Sequence, residues 1–153
     1  MSNIVFNIAK GRVVEYYNRV KSNDPANSAL ILVPIETAGL EADATLIDVD
    51  TLAALLAGAT NEQTTMGRKT LTDSDLAALP SPDDTNDRYE VSLPTVTWAA
   101  ASGNAISKIA VCYDSDTTSG TDANIVPLTM FDFAQTPSGS DIQMTTGVFF
   151  RAS

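Results

Sequence analysis

The chain has 153 residues, 44% hydrophobic and 18% charged, with 19 acids against 9 bases, no histidine and a net charge of −10. That length and apolar content fit one folded domain rather than a disordered chain. The acidic balance speaks against direct nucleic-acid binding and against anionic membranes, because both rest on Lys and Arg meeting phosphate. Without histidine, Ser–His–Asp and Cys–His catalysis and His-ligated metals are excluded. Cys112 is the only cysteine, so an internal disulfide is excluded, and its apolar surroundings predict a buried, inert thiol. The longest apolar runs fall far short of the roughly 20 residues of a membrane span, and the start MSNIVFNIAKGR lacks the pattern of a secretory leader. The expectation is a protein that folds in a cytoplasm.

In chain order, Ile4, Phe6 and Ile8 alternate as a short strand does, and Val13, Tyr16, Tyr17 and Val20 recur at helical spacing. Residues 3–21 therefore read as an extended arm followed by a helix that ends near the turn-rich SNDPANS. ALILVPIE (29–36) is an apolar run of strand length, and Pro34, which cannot donate to a ladder, predicts an edge or a bulge there. DVDTLAALLAGAT predicts a helix capped by Asp48 or Asp50, with Leu52, Leu55 and Leu56 on its apolar face and Gly58 as its stop. TDSDLAAL predicts a capped helical turn before Pro80, and SPDDTNDR a turn. Tyr89, Val91 and Leu93 alternate with polar neighbours as a strand with one wet face, and Val96 and Trp98 continue the pattern past Pro94. Ile109, Val111 and Tyr113, then residues 125–133, then Ile142 and Met144, then GVFFRAS give a strand-rich final third.

The fold expectation is mainly β: a single antiparallel β-sandwich or barrel-like domain with an N-terminal arm or helix and one or two short helices. Residues 1–28 form the arm and helical segment, and residues 29–153 the β domain.

Two acidic loops are the only candidates for chemistry. In VCYDSDTTSGTDANIVPL (111–128), a calcium-loop count from Asp114 places Asp116 and Thr118 suitably. It then meets Ser119 where a glycine is needed and Ile125 where a glutamate is needed. A polar hairpin tip with its acids in water fits better. Asp83, Asp84, Asn86 and Asp87 form a second cluster, where a turn is expected over a catalytic dyad. No glycine-rich phosphate loop and no nucleophile elbow is present. The chain is expected to be non-enzymatic and to hold no cofactor. An arm this short must bury Ile4, Phe6 and Ile8 against its own domain or against a neighbouring subunit. Ile4, Phe6, Ile8, Val13, Tyr16 and Tyr17 are the candidate interface residues.

The segments FNIAKGRVVEYYNRVKSNDPANSALILV, LEADATLIDVDTLAALLAG, DDTNDRYEVSLPTVTWAAASGNAISKIAVCYD and GTDANIVPLTMFDF span much of the chain. On them it resembles small virion structural proteins of long-tailed, siphovirus-like bacteriophages, of the kind encoded among head and neck genes. The resemblance implies a non-enzymatic part of the particle, assembled in the host cytoplasm. Its partners would be copies of itself and other virion proteins, either the major capsid protein or neck and tail proteins. A capsid decoration or cement protein on the head exterior is the leading expectation. A neck, collar or tail component is the alternative, and a surface carbohydrate-binding module using Trp98 and the 114–122 loop is a third.

Overall fold

Five strands build the central sheet: β1 (Ile4–Val5), β2 (Ala29–Glu36), β3 (Lys69–Leu71), and two long strands near the C-terminus. Two outer pairs lie between and after them in sequence. In one, β4 (Tyr89–Leu93) pairs with β9 (Gly147–Ala152), and in the other β5 (Val96–Trp98) pairs with β8 (Ile142–Met144). The long strands are β6 (Ile106–Asp114) and β7 (Val126–Gln135), and the central order is β1-β7-β6-β2-β3, antiparallel throughout. The computed structural model describes residues 4–79 and 82–152. Pro80 and Ser81, read above as a helix stop and the start of a turn, lie outside the described residues, as do residues 1–3 and 153. The chain is mainly β with short helices, a β-sandwich-like domain as expected.

Both faces of this sheet are covered, which is why β2 reads as an unbroken apolar run. Leu30 and Leu32 of β2, with Ile109, Val111 and Tyr113 of β6, point to the first face. There they meet Val13, Tyr16, Tyr17 and Val20 of helix α1 (Val13–Lys21) and Val91, Leu93, Val96 and Trp98 of the outer pairs. Ile31, Val33 and Ile35, with Ala110, Cys112 and Met130, point to the second face. That face is closed by Ile4 and Phe6 of the arm and by two single-turn helices, α2 (Asp43–Leu46) and α3 (Leu52–Leu55). A third short helix, α4 (Asp73–Leu76), begins with a capping box between Thr72 and Asp75, as the sequence predicts.

Four local expectations need correction. First, the helix expected across residues 48–58 is only the single turn α3, with a separate turn, α2, before it, and the cap is Thr51, whose hydroxyl accepts from the Ala54 amide at 3.1 Å. Asp48 instead accepts from the side chain of Asn7, tying this segment to the arm. Second, the arm is strand only at Ile4–Val5, and a 3-10 turn at Asn7–Ala9 follows.

Third, β2 is interior to the sheet and not an edge. Pro34 is tolerated because its carbonyl, and with it the ring nitrogen, faces away from β6. There β3 has already ended at Lys69, and the carbonyl accepts from the Gln63 amide. The bulge falls one residue later, between Ile35 and Glu36. Fourth, Pro94 does not lie within one strand. It marks the point where the chain leaves β9 and takes β8 as its next partner.

Candidate functional site

The hairpin between β6 and β7 confirms that residues 115–125 are a connection between two strands, but its acids are not all in water. Asp114 is buried, and its Oδ1 accepts from the Asp116 amide at 3.0 Å. Asp116 takes in the hydroxyls of Thr118 and Ser119, and the Ser119 and Thr118 bonds hold its carboxyl below the usual range. The loop packs so closely that a Cβ added at Gly120 would lie 2.8 Å from Asp114 Oδ2. Thr117 donates twice to the Asn27 carbonyl, through its amide and its hydroxyl. Asp114 Oδ1 and both oxygens of Asp116 thus already accept from the loop's own donors.

Asp122 anchors the far side of the loop. Its two oxygens accept from Arg68 at 2.6 and 2.9 Å, and Arg68 also donates to both oxygens of Glu62 at 2.8 and 2.7 Å. One guanidinium thus forks onto two carboxylates, a geometry that lysine cannot reproduce. The hydrogen bonds that Arg68 donates to Asp122 and then to Glu62 raise its pKa against the opposing effect of burial. The Arg68 hydrogen bond in turn pulls the Asp122 carboxyl down. The same loop supplies carbonyls to α3: the Leu52 amide donates to Ile125 at 2.9 Å and the Ala53 amide to Asp122 at 3.0 Å. The loop is therefore a structural part of the second face, and no spacing in the sequence announced Arg68 as its anchor.

The second acidic cluster is a turn. Asp83 accepts from the Asn86 side chain at 2.7 Å and from the amides of Thr85 and Asn86, and its carboxyl is held down chiefly by the Asn86 bond. A general acid needs the opposite shift. Asp84 and Asp87 are exposed.

Five of the six candidate interface residues, Ile4, Phe6, Val13, Tyr16 and Tyr17, are buried in the chain's own core, and Ile8 is half-buried against both clusters. Of the two destinations open to the arm, its own domain is the one occupied. The Phe6 amide donates to the Leu128 carbonyl at 3.0 Å and the Asn7 amide to Ile47 at 2.8 Å, so the arm is stitched down on both sides. Tyr16 stacks on Tyr113 with ring centroids 4.5 Å apart. Burial pushes the Tyr17 phenol up to about 12; its hydroxyl lies towards the Ser92 backbone without an aligned hydrogen bond.

Trp98 is 1% exposed and donates its indole N–H to the Gly67 carbonyl at 3.0 Å, so it presents no ring to solvent. Cys112 is fully buried, and burial raises its thiol pKa well above the ordinary value, which keeps it protonated and unreactive. A surface groove of about 170 Å³ is lined by Leu93, Phe131, Met144, Val148 and Phe149 together with Asp132, Thr145 and Gly147. Val148, at 47% exposure, is the one large hydrophobic side chain exposed among the described residues. All five arginines pair with carboxylates of the same chain: Arg12 and Arg19 with Glu15, Arg68 as above, Arg88 with Asp83 and Glu90, and Arg151 with Glu90. No helix among the described residues is long and apolar enough to cross a membrane. No family model, no curated protein and no solved structure matches this chain.

Proposed function

We propose that the chain is a non-enzymatic structural protein of a bacteriophage particle, a decoration or cement protein on the head exterior that acts by protein–protein contact. The observation that carries this reading is where the chemically capable side chains are used. Arg68, Glu62 and Asp122 hold a loop to a core, Trp98 and Cys112 lie inside, and Asp83 and Asp116 organise their own turns. What remains outside is polar and acidic, with one groove of mixed polar and apolar lining beside the exposed Val148. Such a surface suits packing against other proteins and keeps clear of packaged DNA. The particle itself comes from the resemblance described above, and the partners are copies of this chain and the shell protein. The glycan alternative loses support, because the indole it needs for stacking is in the core.

The test is the copy number in purified virions, measured by quantitative mass spectrometry against the major shell protein. A ratio near one supports decoration of the whole shell. A few copies per hundred shell subunits moves the protein to the neck, collar or tail. Absence from virions overturns the structural reading.

A further inference from the structure

Lys108 stands where a core residue belongs. It precedes Ala110 and Cys112 on β6 by two and four positions, so its side chain leaves the sheet on the second face. Its side chain is only 9% exposed, and buried lysines are rare unless they are paired. Its Nζ donates to Asp132 Oδ1 at 2.8 Å and lies 3.3 Å from Asp43 Oδ1. Asp132 is the residue directly opposite on β7, itself 11% exposed. Asp43 opens α2 and reaches the same ammonium from a different element.

The Lys108 ammonium, the Asp132 carboxylate and the Asp43 carboxylate thereby meet at one point, the first two nearly buried and Asp43 27% exposed. Holding two reacting groups in contact removes the entropy cost of bringing them together. A neighbouring carboxylate can carry the proton that must move. Burying an ion pair also costs desolvation, which a neutral amide in the same place does not incur.

We propose that Lys108 and Asp132 condense in the folded protein to an intramolecular amide bond, with Asp43 relaying the proton. Asp43 accepts one proton from the Lys108 ammonium. The freed Nζ lone pair attacks Asp132 Cγ, and the Nζ–Cγ bond forms as one Cγ–O bond breaks. The departing oxygen takes the proton held by Asp43 and a second proton from Nζ, and leaves as water. One ammonium and one carboxylate become one amide and one water; Asp43 ends as it began, and nothing is oxidised or reduced. The product ties β6 covalently to β7 in a chain that has no cysteine pair to do so.

The test is the intact mass of the purified full-length chain, with the state of its first residue taken into account. The expected result is a mass lower than that of the sequence by one water, with a branched peptide joining Lys108 to Asp132 after digestion. Lys108→Arg, which keeps the charge and cannot condense, restores the full mass, and Asp43→Ala leaves part or all of the protein uncondensed. A wild-type mass that matches the sequence overturns the proposal, as does a water loss that persists in Lys108→Arg. The wild-type measurement decides the matter even if a variant fails to fold.

Discussion

The two faces of the central sheet are closed by different means. The first is covered by a nine-residue helix and two strand pairs, regular elements whose apolar residues recur at fixed spacing. The second is covered by two single-turn helices and a short arm, none of which is long enough to be stable alone. What holds the second cover is polar. Arg68 bridges Glu62 and Asp122, Glu41 Oε2 accepts from the amides of Ala59 and Thr60 and from the Thr60 hydroxyl, and loop carbonyls cap α3. One face is thus fastened by area removed from water, the other by area plus a few charge-assisted bonds.

The comparison can be tested from either side. Trp98→Ala empties the largest side chain of the first face and removes the partner of the Gly67 carbonyl. It is expected to cost about 3–5 kcal/mol, read as a lower urea midpoint. Arg68→Ala strands Glu62 and Asp122 without their partner. Because the cluster is partly solvated, about 2 kcal/mol is expected, with faster amide exchange confined to α3 and the 115–125 loop. If exchange instead quickened equally on both faces, the two covers would be one cooperative unit. The mildest probe is acid. Arg68 holds the Asp122 carboxyl below its unfolded value, so the stability it contributes is present above the ordinary carboxylate pKa. That contribution is lost as pH falls through the lowered value. Below about pH 4 the amides of Leu52 and Ala53 should therefore open before those of β2 and β6.

The same division separates what could be read from the sequence from what could not. Helix α1, strands β2, β4 and β6 and the capping box at Thr72 announce themselves through period or cap chemistry. The demand that Phe6 be buried is equally legible, because no arm leaves such a ring in water by preference. Its destination is not, since Leu128, to which its amide donates, is far along the chain. Arg68 and Asp122 are 54 positions apart, and Lys108 and Asp132 are 24 apart. Pairings at such distances follow from strand order, which has no local signature. The helix expected over residues 48–58 breaks for a related reason. Asp48 is engaged by the side chain of Asn7, and the amides that would continue a helix find carbonyls in a distant loop.

The pairing of β1 with β7 bears on how the chain comes off the ribosome. Ile4 and Val5 leave the ribosome well over a hundred residues before their partners Met130 and Thr129. Until then Phe6 has no place to go, and Ile31, Val33 and Ile35 wait uncovered by the arm. Contacts so distant in sequence slow folding and leave apolar surface open in the meantime. A nascent chain stalled before residue 126 would therefore carry an unsatisfied sheet, a natural substrate for a chaperone until β7 has been made.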